Sequence, residues 1–349
     1  MILLLHACAT TVKKPVRPDD PLAGKILAAG TGEILSYSRL MEHLAAHDVI
    51  YLSEKHDNSM HHAIQHRIIQ HLVNEGLSPA LGFEFFAVHD TPLLLSFVDS
   101  GSHDHPKKVN AMIETDMRQQ LNWDRQSDQM WQYYFDLLKL ARNNSLTAAG
   151  LDLSGPLKRR ITRKGLAGIT PLEKKQIFST GYDNPVYAQH MKTVFTSVHC
   201  GMGSADMLDR LYDTWTARND TMARSITRLA QETNGPVVVI IGNGHTEYGL
   251  GVVNRVSFLD PALSQVNLAL TEVRPKPADI ADYIAPLDLK GFPPLPPADF
   301  IWLTRRVSYE DPCVAFKKSL QKMKSPESAE PSSRAITMIS WAGRQAGCL

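Results

Sequence analysis

The stretch VIYLSEKHDNSMHHAIQHRIIQHL, residues 49–72, changes period in its middle. Its opening VIYL is an apolar run of β-branched, aromatic and aliphatic residues, the composition of a strand. From Met60 onward the apolar positions are Met60, Ile64, Ile68 and Leu72, joined by Ile69 and Val73, which is one face of an amphipathic helix. Asn58 or Ser59 supplies an N-cap and Gly76 a stop. Strand, polar turn and helix together are the first half of a βαβ unit. The alternation recurs along the chain. Further strands are read at residues 80–86, 146–153, 236–244, 266–273 and 299–307, and helices at 37–47 and 221–235. The run VVVII (237–241) is apolar at every position, as in a central strand covered on both faces. The expected fold is therefore α/β, a mostly parallel sheet flanked by helices with right-handed crossovers. Two stretches, about 88–144 and 155–222, are helical in pattern and too long for simple crossovers. They are read as a helical insertion subdomain, a lid or a second layer.

The 349 residues are 43% hydrophobic with a net charge of +1, an ordinary globular composition that gives no electrostatic reason to expect nucleic acid. Basic clusters such as LKRRITRK (157–164) read as solvated helix faces. No apolar run approaches the roughly 20 residues that span a bilayer. The start, MILLLHAC, resembles the end of a bacterial lipoprotein signal, cut before a Cys that is then lipidated, here Cys8; it lacks a basic front and its apolar run is short. The polar, proline-bearing ATTVKKPVRPDDP that follows suits a tether. Residues 1–23 are thus expected to be a truncated signal and tether, 24–317 the α/β domain, and 318–349 a disordered tail. Cys200, Cys313 and Cys348 show no C-x-x-C spacing, which argues against zinc-ribbon and thioredoxin chemistry. A Cys200–Cys313 disulfide suits an exported protein but is not readable from sequence.

Polar residues gather where the strands end. Glu54 and His56 are two apart, so in extended backbone they share a side, and Asp57 sits near a helix start whose dipole favours an anion. Glu84 stands among Phe83, Phe85 and Phe86, where a carboxylate is costly unless paired or bound to a metal; the alternative is a strand-end carboxylate met by water or an Arg. His245 follows the late strand in a glycine-flanked turn. In an open α/β sheet these exits gather at one end, so Glu54, His56, Glu84 and His245 are candidates for a common site, a divalent metal among its occupants. Five of the chain's 14 histidines lie in residues 49–72. His61 and His62, in the helix's first turn, are weaker metal candidates beside Asp57, and His66 and His71 read as solvated face. His62 and His66 have metal-ligand spacing, yet HHAIQH is not the H-E-x-x-H of a zinc protease.

The segment VIYLSEKHDNSMHHAIQ is similar to the LGE-x-HDN-x-x-HH-x-x-Q pattern of the ChaN-like haem-binding uptake family. GFEFF, LKRRITRKGLAGITP, NPVYAQHM, RNDTMA, IIGNGHTEYGLGV and FIWLTRRVSYEDPC extend the resemblance in order from about residue 24 to about 317. The family's Gly before the Glu is Ser53 here. The resemblance implies an α/β core, export as a periplasm-facing or surface lipoprotein of the bacterial outer membrane, and haem binding in iron uptake, with a haem receptor or transporter as partner. It also implies a homodimer enclosing stacked haems, an axial tyrosine, and a histidine and a lysine at the propionates. Tyr187 in NPVYAQHM is the position expected for the axial ligand, with Tyr182 behind it and His190 and Lys192 as propionate partners; Tyr187's other reading is a helix–helix contact. Tyr133 and Tyr134 read as core aromatics. The wider superfamily of TraB proteins, Tiki proteases and erythromycin esterases implies a competing class. In it Glu54, His56, Glu84 and His245 serve a metal-dependent hydrolase, through a metal-bound water or a carboxylate–histidine acid/base pair. A surface adaptor with neither activity is the third reading.

Overall fold

The computed structural model describes residues 20–100 and 107–314, so the expected lipidation site at Cys8 and the expected tail from residue 318 lie outside the described residues. The strands are β1 (Ile26–Ala28), β2 (Ile34–Leu35), β3 (Val49–Glu54), β4 (Ala80–Ala87), β5 (Ala148–Asp152), β6 (Val237–Gly242), β7 (Gln265–Glu272) and β8 (Phe300–Thr304). They form one eight-stranded sheet in the order β2-β1-β8-β7-β3-β6-β4-β5. All six strands expected from the sequence are present. From β8 to β5 every neighbouring pair is parallel. The antiparallel β1 and β2 extend the β8 edge. These two escape a sequence reading because two or three residues carry no period.

The helices are α1 (Tyr37–Ala45), α2 (Ser59–Asn74), α3 (Thr91–Asp99), α4 (Lys107–Gln120), α5 (Asp128–Asn143), α6 (Gly155–Lys164), α7 (Pro171–Lys174), α8 (Pro185–Val198), α9 (Ala205–Glu232), α10 (Val252–Leu259) and α11 (Ile280–Ile284). The α2 start is capped as expected, with Asn58 Oδ1 accepting from the Met60 N–H at 3.0 Å. Gly76 ends the helix at φ +83, a conformation that glycine adopts at little cost.

The two-residue period of the strands feeds two cores. Ile50 and Leu52 of β3, with Phe83, Val238 and Ile240, pack under α2 and α5. Val49 and Tyr51, with Val239 and Ile241, pack under α9 and α10. Each fully buried Ile, Leu or Phe contributes about 1.5–3 kcal/mol relative to exposure, so this doubly covered sheet carries most of the fold's driving force.

The two long insertions are helical, as expected, but they differ in role. The first is a layer of the main core rather than a lid: Trp131, Tyr134, Leu137 and Leu138 of α5 are buried with the strand residues. The second runs through α6 to α9. Its last helix spans 28 residues, about 42 Å. The C-terminal half of α9 covers the sheet through Met222, Ala223 and Ile226. Its N-terminal half pairs with α8 around a separate small core of Met191, Phe195 and Trp215. A Cys200–Cys313 disulfide, with Cα atoms 5.6 Å apart, joins the α8–α9 turn to the chain beyond β8.

Candidate functional site

Parallel pairing brings the carboxyl ends of β3, β4 and β6 together, and the register sets Glu54 beside Gly242. Glu54 continues the Ile50 and Leu52 side of β3, toward α2 and α5. Glu84 lies on the opposite side of β4, toward α9. His56, just past the end of β3, lies between them, its ring edge-on to Phe85 at 4.5 Å. The missing side chain at Gly242 makes room: a Cβ there would stand 2.6 Å from His56 Cε1 and 3.4 Å from Glu84 Oε2.

Glu54 is fully buried, and four side chains meet its carboxylate. Oε1 accepts from His56 Nδ1 at 3.0 Å and from the Tyr134 hydroxyl at 2.5 Å. Oε2 accepts from Gln65 Nε2 at 2.7 Å and faces His62 Nδ1 at 3.2 Å. Burial alone would push this carboxyl's pKa up. The imidazoles of His62 and His56, and then the Tyr134 hydroxyl, outweigh it and hold the group at about 2. His62 is fixed from its other side, because Nε2 donates to the His56 carbonyl at 2.9 Å and the ring stacks on Tyr133 at 4.2 Å.

Glu84 is the centre of the second half. Its Oε2 accepts from the Gly242 N–H at 2.6 Å, and its Oε1 from Arg218 Nη2 at 2.5 Å. His245 Nε2 lies 3.4 Å from the same Oε1. Burial pushes Glu84 up, but His245 and Arg218 hold it well below the ordinary carboxylate range. His245 is itself pushed down by burial; its Nδ1 donates to Asn219 Oδ1 at 3.0 Å, which leaves Nε2 buried and without a hydrogen bond. Arg218 also donates to Asp152 at 2.9 Å, and Asp152 accepts from Lys158 at 2.6 Å. Burial pulls His56 down, yet the hydrogen bond to Glu54 and the charges of Glu84 and Glu54 raise it above its ordinary value.

The structure therefore brings Glu54, His56, Glu84 and His245 together, and adds His62. A histidine oriented by one carboxylate and faced by another is an acid/base group. The expectation of a divalent metal finds no support: among the described residues no group of His, Cys, Asp and Glu is arranged to hold a metal ion. The reason lies in Glu84, whose two oxygens are taken by the Arg218 guanidinium and the Gly242 N–H. The remaining candidates stand elsewhere. Asp57 pairs with Lys55 at 3.2 Å. His61 is a satisfied core histidine: Nδ1 accepts from the Lys55 N–H at 2.9 Å and Nε2 donates to the Thr304 hydroxyl at 2.8 Å. His66 is exposed, and His71 lies edge-on to Tyr37 at 5.4 Å. Ser53, where the resembled family has Gly, is ordinary buried strand. Its hydroxyl shares a hydrogen bond with the Thr246 hydroxyl and donates to Asn267 Oδ1, each at 2.7 Å.

The four candidate haem residues lie on or beside α8 and point to different neighbours. Tyr187 is 7% exposed, its ring stacked on Phe292 at 4.8 Å. Its hydroxyl makes no hydrogen bond among the described residues, and burial raises its pKa. The Tyr182 hydroxyl accepts from Asn254 at 3.1 Å, and its ring lies against Phe258 and Arg255. His190 is half-buried, which lowers its pKa. Lys192 is on the α9 side, paired with Asp209 at 2.5 Å. It lines an open groove of about 640 Å³ between α8 and α9 that Tyr182, Tyr187 and His190 do not line.

Several members of the strand-end site were not legible as such. Tyr134 was read as core, which it is, but its hydroxyl reaches Glu54. Gln65 follows His61 by one helical turn, and that spacing could have placed it. Arg218 and Asn219 stand together in RNDTMA without any local sign of their partners. Asp152 lies inside the strand read at 146–153 and is the last residue of β5.

Residues 40–256 match the family model described as haem-binding uptake, Tiki superfamily, ChaN. No curated protein matches the sequence. Among solved structures, ChaN of Campylobacter jejuni, titled for cofacial haem binding, has a TM-score of 0.57 and 17% identity, over 79% of this chain and 95% of that one. An erythromycin esterase in its open conformation has a TM-score of 0.40 and 11% identity, over 78% of this chain and 82% of that one. A succinoglycan biosynthesis protein has a TM-score of 0.39 and 14% identity, over 67% and 68%. The likeness to ChaN is one of fold.

Proposed function

Because the chain belongs to the haem-binding uptake family of the Tiki superfamily, we propose that it binds haem in bacterial haem or iron uptake, through an axial tyrosine and between two subunits. The observation that carries the reading is the family match over residues 40–256, which includes both the strand-end site and α8. Haem supplies a ferric iron that accepts an anionic oxygen ligand. Tyr187 is the first choice: its ring already stacks on another aromatic, Phe292, and since burial and then Tyr182 raise its pKa, the ferric iron itself must drive the phenol to phenolate. Tyr182 is the second choice, since its hydroxyl is engaged by Asn254. His190 remains a propionate partner in this reading. Lys192 fits less well, because reaching a propionate requires leaving Asp209.

Export as a lipoprotein anchored at Cys8 in the outer membrane, and delivery of haem to a receptor or transporter, belong to the same proposal. The Cys200–Cys313 disulfide supports an oxidising compartment.

A hydrolase is the second reading, and one observation favours it: His56 is oriented by Glu54 and faced by Glu84, an acid/base arrangement. It ranks second because the family model that matches residues 40–256 is described by haem-binding uptake. Titration of the purified protein with haemin, followed by absorbance, with metal analysis of the same sample, separates the two. Saturable binding supports the first reading; no specific haem binding, with a stoichiometric bound metal, would reverse the order.

A further inference from the structure

The two helices of the α8–α9 hairpin are held differently: among the described residues α9 is fastened along its length, while α8 packs mainly on α9. The hairpin's own core of Met191, Phe195 and Trp215 is separate from both sheet cores. The N-terminal half of α9 is tied to α6 and the chain after it: Arg210 donates to the Thr162 carbonyl at 3.2 Å, and Asp213 accepts from the Leu166 N–H at 3.0 Å. Trp215 donates to the Gly244 carbonyl at 3.2 Å. Beyond α9, α8 is tied by the Tyr187–Phe292 stack and, at its C-terminal turn, the Cys200–Cys313 disulfide. Cys200 lies in the turn between the helices at φ +59, followed by Gly201 at φ +73 and Gly203 at φ +141, so the tip is built of residues with positive φ. Cys313 belongs to a strap that is anchored where it leaves β8. There Glu272 accepts from the Val307 N–H at 2.9 Å, and Asn58 Nδ2 donates to the Arg305 carbonyl at 3.0 Å. The disulfide thus links the hairpin tip to a strap fastened at the same sheet end as the Glu54 site. Both cysteines are half-buried, within reach of a small thiol.

We propose that the Cys200–Cys313 disulfide is a redox latch on the hairpin: closed, it holds α8 and the Tyr187–Phe292 contact in place; opened by a dithiol, it frees the tip and weakens the hold on haem. This rests on the haem reading above. The exchange is balanced. One thiolate of the dithiol attacks a cysteine sulfur, the S–S bond breaks, and the other cysteine leaves as thiolate and takes up a proton. The reagent's second thiol then resolves the mixed disulfide, so the reagent becomes a disulfide and Cys200 and Cys313 two thiols.

Two measurements on the full chain test the latch. Hydrogen exchange across residues 185–204 is compared in the oxidised apoprotein and after dithiothreitol. Transfer of haem to excess apomyoglobin is compared between the oxidised protein and the Cys200→Ser/Cys313→Ser variant, without reductant, so that the iron's oxidation state is unchanged. Opening the latch is expected to speed both exchange in α8 and haem transfer about tenfold, within the usual range of coupling between two sites. Unchanged exchange overturns the latch whatever the haem result. Faster exchange with unchanged transfer overturns its coupling to haem. An oxidised protein that takes up no haemin overturns the haem reading, and the coupling with it, while the exchange data still judge the mechanical part.

Discussion

Tyr134 and Glu54, 80 residues apart in the chain, are joined by a hydrogen bond of 2.5 Å. Both are fully buried. The bond clamps α5 to the end of β3, so the strand-end site is also the joint between the sheet and its helical layer. Tyr134→Phe keeps the ring's stacking on Phe85 and removes one donor from a buried carboxylate. The expected loss is about 1–3 kcal/mol of unfolding free energy, read from urea denaturation at neutral pH. An unchanged midpoint would mean that the bond contributes nothing.

Arg218 neutralises Glu84 and Asp152 together. Arg218→Met leaves two buried carboxylates short of their shared cation and is expected to cost about 3–5 kcal/mol. Arg218→Lys restores the charge without the two-pronged geometry and should fall between the two. Equal stability of wild type and the Met variant in guanidinium unfolding would contradict the paired-carboxylate description.

Stability should fall as the solution is acidified, beginning near neutrality. Burial, the largest influence, lowers His61 to about 3 from an ordinary 6.5. Between those values the unfolded chain binds a proton that the folded chain does not, so folding loses free energy as pH drops from about 6.5 toward 3. Glu54, held at about 2 against 4.5, adds a second loss in the same direction below pH 4.5. His56, raised, acts oppositely: its contribution is present below 6.5 and lost as pH rises through its folded value. Urea midpoints from pH 7 down to about 4 should decline, and His61→Gln should flatten the upper part of that decline. A flat profile in the wild type would refute the buried neutral His61.

Gly242→Ala tests the crowding at the site directly. The new methyl would meet His56 Cε1 at 2.6 Å, and either the ring or β6 must shift. A loss of about 1–3 kcal/mol is expected, with the acid/base behaviour of His56 altered in a histidine NMR titration. An unperturbed His56 resonance would show that the ring does not lie over Gly242.

The fold was legible wherever a period was long enough to count. The run VIYL, then Met60 to Leu72 at one face, located β3 and α2, although β3 runs two residues further, through Ser53 and Glu54, and VVVII defined a strand buried on both faces. The long helix α9 was read only over its sheet-facing end, because its other half leaves the sheet and packs between α6 and α8. The polar site was half legible. Glu54, His56, Glu84 and His245 could be placed together by the strand-end rule, since parallel strands end on one side. Tyr134, Arg218 and Asp152 could not, because a contact between β3 and a helix 80 residues later leaves no local trace. His61 shows the opposite failure: its position beside the site suggested a ligand, while the structure spends both ring nitrogens on the Lys55 N–H and Thr304.

The most direct test of the central claim is titration of haemin into the purified protein and into Tyr187→Phe and Tyr182→Phe variants, followed by visible absorbance. Saturable binding is predicted in the wild type, with the ferric spectrum changed in Tyr187→Phe and preserved in Tyr182→Phe. Binding no stronger than nonspecific adsorption in the wild type would contradict haem binding itself, and an unchanged spectrum in Tyr187→Phe would remove Tyr187 as the axial ligand.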